Sequence, residues 1–311
     1  MNFQRYDLIG DIHGQHQKLV HLLHALGYEE RCDAGAARTW RHPAGRKVVF
    51  LGDYIDRGPA IREVVTTVRG MVQEGDALAV MGNHEYNAIC AATPDGKGGF
   101  LRPEERCRGG QLETRRQYAG REAEWEACLD WMRRLPMFLD LGGLRAVHAC
   151  WDSRRIEHLS GKSLVDHDFL LRSVDRGAAE HRAVENVLKG PEMAMPDGRV
   201  FYDKERIARH SIRVRWWDLP ERSRVSQLSL PEPFDVEGEA PLHQLRRVPH
   251  YGASEVPVFI GHYWLPPSSR RQPMASNVAC LDYSAAFGDN PLVAYRWDGE
   301  QKLVAEHFVT A

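Results

Sequence analysis

One design recurs along this chain and limits what it can fold into: a short apolar run, then glycine, then a side chain able to ligate a cation. It reads Gly10-Asp11-Ile12-His13-Gly14, Gly52-Asp53-Tyr54-Ile55-Asp56-Arg57-Gly58, Gly82-Asn83-His84-Glu85 and Gly261-His262, while Val147-His148 ends another apolar run without the glycine. The runs before the first three motifs, residues 6–10, 47–51 and 77–81, alternate with helically spaced stretches at 15–26 and 61–74. Strand–helix–strand–helix–strand order argues for parallel pairing and an α/β core. In such sheets ligands gather at the carboxyl ends of strands, which is where these motifs fall.

Further along, residues 93–110 are rich in glycine, proline and charge and read as a loop over one end of the sheet. An amphipathic helix is expected over 122–134, and strands 138–141 and 144–147 flank Gly142-Gly143 as a hairpin. From 151 to 250 the pattern is irregular and proline-punctuated, which we read as an insertion or cap within a single 1–311 domain. Strand character returns at 256–260, 278–281, 292–297 and 303–308, the last two flanking Asp298-Gly299, so an antiparallel finish is expected. The fold class is thus α/β with mixed α+β character.

Carboxylate, imidazole and amide oxygen together suit a divalent cation such as Mn²⁺, Fe²⁺ or Zn²⁺. Asp11 and His13, at i and i+2, both face it if the strand end stays extended. Taken singly, each element has a plainer explanation. Gly-Asp after a strand is usually a turn, Gly-Asn a turn tolerating positive φ, and a strand-terminal histidine a satisfied core residue. The conjunction, in this order and on these strand ends, is what those explanations do not cover.

At these residues the chain resembles the calcineurin-like metallophosphoesterases, most nearly the branch holding the PPP-type Ser/Thr protein phosphatases and the bacterial dinucleoside-tetraphosphatase-like enzymes. The likeness rests on Gly-Asp-Ile-His-Gly, Gly-Asp-Tyr-Ile-Asp-Arg-Gly-Pro and Gly-Asn-His-Glu, then Val-His-Ala and Gly-His; it covers residues 6–90 and, more loosely, 138–152 and 256–308. It implies two packed β-sheets flanked by helices in four layers. It also implies two divalent metal ions, manganese first with iron or zinc as alternatives. Asp53 would bridge them, Asp11 and His13 would complete one site, and Asn83, His148 and His262 the other. A bridging water would attack phosphorus in line, His84 oriented by Asp56 would protonate the leaving oxygen, and Arg57 would clamp the phosphate.

Two departures sharpen the branch. Gly261-His262-Tyr263-Trp264 lacks the second histidine of Gly-His-x-His, which fits the PPP-type branch and argues against nucleases. Val147-His148-Ala149-Cys150-Trp151 stands where the protein phosphatases run into glycines, which weakens the case for their groove.

Substrate signals are thinner. Residues 204–217 carry Lys204, Arg206, Arg209, Arg213 and Arg215 before Trp216-Trp217. We expect at least one of Arg209, Arg213 and Arg215 to reach phosphate; the tryptophans read as core residues or as a stack for a base. A second basic cluster, Arg106-Cys107-Arg108 with Arg115-Arg116, reads as solvated surface. Net charge is −2, so no bulk attraction to nucleic acid or an anionic membrane is expected. The start of the chain reads as a strand and not a signal peptide, and six cysteines without a C-x-x-C pair fit free thiols in a cytoplasm. Cys150, beside His148, reads as a buried inert thiol in preference to an oxidant sensor. The substrate is then a phosphoprotein, small phosphate ester or nucleotide. Monoester hydrolysis of the Ser/Thr-phosphatase kind is the first reading, a dinucleoside-polyphosphate hydrolase the second, and a catalytically silent scaffold the least favoured.

Overall fold

The computed structural model describes residues 4–31, 39–103, 111–195, 198–202, 208–217, 224–231 and 239–311. Strand β1 (Tyr6–Ile9) leads to helix α1 (His16–Ala25), an edge ribbon of β2 (Glu29–Arg31) and β3 (Thr39–Arg41), then β4 (Lys47–Phe50), α2 (Ile61–Gln73) and β5 (Ala77–Ala79). β1 and β4 pair in parallel with Leu8 opposite Val49, and β4 and β5 likewise with Val49 opposite Leu78. Val48, Val49 and Phe50 are all buried, as a strand covered on both faces requires. α2 turns Ile61, Val64, Val65, Val68 and Met71 inward at helical spacing.

Next come α3 (Asn83–Ala92), α4 (Leu112–Tyr118), α5 (Glu122–Arg133) and the expected hairpin of β6 (Phe138–Asp140) and β7 (Arg145–Val147). The stretch from 151 to 250 has two parts. Helices α6 (Ser153–Leu159), α7 (His167–Val174) and α8 (Ala179–Lys189) add Leu159, Phe169, Val184 and Leu188 to the main core. Asp152 and Asp166 start the first two by accepting backbone N–H groups. Then follow β8 (Glu192–Ala194), β9 (Phe201–Tyr202), β10 (Ala208–Arg209), β11 (Ser211–Val214), α9 (Val225–Leu228), β12 (Ser229–Leu230) and α10 (Leu242–Leu245). β8, β11 and β12 form a small antiparallel sheet beside a separate apolar cluster that includes Met193, Ile212, Val214 and Leu228. Trp216 and Trp217 are fully buried in the main core, Trp216 donating its indole N–H to the Ala149 carbonyl at 3.1 Å. They are core residues and offer no face to a base.

The chain closes with β13 (Val258–Ile260), β14 (Val278–Cys280), β15 (Val293–Trp297) and β16 (Phe308–Thr310). One sheet runs β16-β15-β1-β4-β5 and the other β14-β13-β7-β6. The expected antiparallel finish holds for β15, which pairs antiparallel with β1 and β16. It fails for β13, which is parallel to both β7 and β14. The Asp298-Gly299 hairpin is wider than expected. Leu303 N–H is drawn to the Ser276 carbonyl at 2.8 Å, and β16 starts only at Phe308. The two sheets share one core, with Phe259 of β13 and Tyr295 of β15 at 5.1 Å between ring centroids. Among the described residues no helix is long and apolar enough to cross a membrane.

Candidate metal centre

Six strand ends converge on one place. Asp11 and His13 follow β1, Asp53 follows β4, Asn83 opens α3 after β5, His148 follows β7, His262 follows β13 and Asp282 follows β14. Asp53 Oδ1 lies 3.4 Å from His148 Nε2, and Asp53 Oδ2 lies 3.5 Å from His13 Nε2 and 3.9 Å from His84 Nε2. Asn83 Oδ1 is 3.0 Å from His148 Nε2 and 2.8 Å from His262 Nδ1. Two donor groups result, His13–Asp53–His84 and Asp11–Asp53–His148, each with its ligand atoms within 4.8 Å of one another. Asp53 is common to both. Asp11 falls with His148 and not with His13.

The backbone is bent to achieve this. His13, Asp53, Asp56, Arg57, His262 and Trp264 all take positive φ, between 46° and 70°, the strained region that clusters at functional sites. The strand end after Asp11 therefore does not stay extended: His13 reaches inward through a φ of 46°, with its N–H on the Asp53 carbonyl at 2.8 Å. The motif glycines are sites of close approach. A Cβ at Gly82 would lie 2.2 Å from Asp53 Oδ1, and one at Gly261 2.0 Å from Asp11 Oδ1.

Hydrogen bonds at the rear of the rings fix which nitrogen faces inward. His13 Nδ1 donates to the Ile55 carbonyl at 2.8 Å and His148 Nδ1 to the Leu51 carbonyl at 2.7 Å, which turns Nε2 of each ring toward the Asp53 carboxylate. Burial alone would lower the pKa of His148, but the charges of Asp53 and Asp11 outweigh it and hold it up at about 10. Burial, with Asp282 and Asp53 nearby, pushes the Asp11 carboxyl well up. His262 Nε2 is buried with no hydrogen-bond partner among the described residues. Oxygen and nitrogen donors, a shared carboxylate and an unpartnered imidazole nitrogen fit divalent cations.

Around these donors sits a supporting layer. His84 Nδ1 lies 2.5 Å from Asp56 Oδ2, and the Thr114 hydroxyl donates to Asp56 Oδ1 while accepting the Asp56 N–H at 3.0 Å. Arg57 contacts His13 Nε2 and stacks on Trp264. Glu85, a motif residue with no role read from sequence, accepts the N–H groups of Asp53 and Tyr54 at 2.8 Å, Gly82 at 2.9 Å and Ile55 at 3.3 Å. Arg213 donates to the His262 carbonyl at 2.9 Å. Arg209 ends β10, and Arg215, with Nε buried, follows β11. Lys204, Arg206, Arg106, Cys107 and Arg108 lie outside the described residues, as does Cys32. Cys150 is fully buried and burial pushes its thiol well up, which makes it inert. Sequence reasoning missed Asp282 and Trp264. The signal for Asp282 was an apolar run ending in a carboxylate, Val278-Ala279-Cys280-Leu281-Asp282, without the glycine of the other motifs.

The family model described as Calcineurin-like phosphoesterase matches residues 5–190. The asymmetrical bis(5'-nucleosyl)-tetraphosphatase PrpE of Anoxybacillus flavithermus is 44% identical over 79 residues, which is 25% of this chain and 30% of that relative. The symmetrical bis(5'-nucleosyl)-tetraphosphatase of Paracidovorax citrulli is 29% identical over 232 residues, covering 64% of this chain and 77% of the relative. Among solved structures, a protein serine/threonine phosphatase from Saccharomyces cerevisiae aligns with a TM-score of 0.47 at 13% identity, over 99% of this chain and 79% of the other.

Proposed function

The chain belongs to the calcineurin-like phosphoesterase family; on that premise we propose that it is a hydrolase of phosphate esters that releases phosphate from monoesters, phosphoserine or phosphothreonine among them, at a centre of two divalent cations. Asp53 is the shared ligand, and Asp11, His13, Asn83, His148 and His262 complete the set. The donors are hard to borderline with no thiolate, which supports manganese, with iron or zinc as substitutes. When bound, the cation pair supplies an acidified water and neutralises charge on the phosphoryl oxygens.

The observation that carries the monoester reading is the His84–Asp56 pair at 2.5 Å. Asp56 engages Nδ1, which leaves Nε2 to hand a proton to the leaving oxygen. Burial lowers the pKa of His84, but the charges of Asp53 and Asp56 raise it overall, so the acid form persists toward neutral pH. An alkoxide departs poorly without that proton, whereas a nucleoside phosphate departs with little help. Arg57 supplies the planar cation for the phosphoryl oxygens.

A second reading, cleavage of dinucleoside polyphosphates, is favoured by the names of the relatives. A product-resolved panel separates the two. Inorganic phosphate from phosphopeptides and aryl phosphates, with diadenosine tetraphosphate untouched, supports the monoester reading. Two ADP, or ATP with AMP, formed much faster than phosphate is released from any monoester, supports the second.

A further inference from the structure

Trp264 stands beside the centre with a φ of 52°, a conformation that bulky residues avoid. Its N–H donates to Asp282 Oδ2 at 2.7 Å, while Asp282 Oδ1 accepts the Ser284 N–H at 2.9 Å. One buried carboxylate thereby ties the turn after His262 to the loop after β14. That loop is held in turn by Lys18, whose ammonium donates to the carbonyls of Ala285, Gly288 and Asn290 at 2.8, 2.7 and 2.8 Å. It presents Phe287, still 38% exposed, to Trp264 with ring centroids 5.4 Å apart. The Arg57 guanidinium carbon lies 4.0 Å from the Trp264 ring centroid and 5.9 Å from that of Phe287. Phosphate chemistry itself has no use for an indole here. What an indole face offers is a flat, weakly hydrated seat for a planar cation.

We propose that Trp264, buttressed by Phe287 and Asp282, is a positioning residue that sets the plane of the Arg57 guanidinium before phosphate arrives. The inference rests on the clamp role given to Arg57 above. An unstacked arginine samples many rotamers and loses them on binding; a stacked one has lost them already. Inorganic phosphate, which carries no leaving group, is the suitable probe, because a weakened phosphate complex cannot then come from a ring touching the rest of a substrate.

With metal-loaded protein, Trp264→Ala is expected to weaken phosphate binding about tenfold, read as a smaller phosphate-induced rise in Tm at unchanged metal content. KM for an aryl phosphate should rise more than kcat falls, and Trp264→Phe should restore most of the loss. In an Arg57→Ala background the Trp264 substitution should add nothing. Wild-type phosphate affinity in Trp264→Ala overturns the proposal, and so does an equal effect with and without Arg57. If Trp264→Ala does not fold, Trp264→Leu, which fills space without an aromatic face, makes the same comparison. If Arg57→Ala alone binds phosphate normally, the clamp fails and this inference with it. If Arg57→Ala is impaired and Trp264→Ala is not, this inference alone fails.

Discussion

Asp53 is the residue at which two donor groups meet, so replacing it is felt twice. Asp53→Asn is expected to lose metal from both positions and at least about a hundredfold in kcat; metal analysis showing two cations retained at wild-type activity would refute the shared-ligand role. His84→Ala should keep its metal and lose about 10²–10⁴-fold in kcat on alkyl phosphates, with a smaller loss on nitrophenyl phosphate. Equal losses on both would take His84 out of the proton-donor role. Because Asp53 and Asp56 raise the pKa of His84, its acid form disappears only as pH climbs past that raised value. Asp56→Asn removes one of those charges, and the alkaline limb of the kcat profile should move to lower pH. At this scale the candidate donors were readable because each ends a short apolar run, all but His148 in a motif with glycine; the bend that turns His13 inward was not. Asp282 and Trp264 were not. Asp282 follows an apolar run without the glycine, and Trp264 stands where the Gly-His motif is read only for a missing second histidine; each acquires its meaning from a partner elsewhere in the chain, Asp282 on the Trp264 backbone N–H and Trp264 under Arg57.

Between elements, Glu85 does the joining. It sits in the first turn of α3 and collects four N–H groups from the turns after β4 and β5, so it holds the Asp53 loop against the helix that carries Asn83 and His84. Glu85→Ala would strand buried donors and is expected to destabilise the fold by about 3 kcal/mol; a chemical melt within about 1 kcal/mol of wild type would count against it. The strands before the first three motifs were legible from their apolar runs, as was the amphipathic helix α5. The direction of β13 was not, because a short buried strand carries the same residues whether its neighbours run with it or against it. The small sheet of β8, β11 and β12 escaped notice for a related reason: its strands are two to four residues long, below the length at which alternation is visible.

Across the molecule, chemistry and anchorage occupy opposite ends of β1. Beyond its carboxyl end lies Asp11; near its start, buried Asp7 accepts from Arg46 at 2.9 and 3.0 Å, from Arg296 at 3.1 Å and from the Tyr28 hydroxyl at 3.0 Å. Asp7→Ala leaves the nearly buried Arg46 without its main partner and should destabilise by about 3–5 kcal/mol while kcat of the folded fraction is unchanged. A fall in kcat with stability intact would reverse that assignment. Stripping the cations with EDTA should abolish turnover and lower Tm by roughly 5–10 °C, since ligands that bind only the folded state stabilise it by mass action; an unchanged melting curve would show that no cation is held.

The pairing of Asp11 with the backbone of His262 joins positions 251 residues apart. On a ribosome that separation is a delay of roughly 10–50 s between the making of the first donors and the last. Throughout it the early half of the chain carries a cluster of carboxylates and imidazoles with nothing to complete it, and β1 waits for β15. The proposed centre can therefore be complete only late in biosynthesis. A nascent chain arrested before residue 262 should neither hold a cation pair nor hydrolyse an ester.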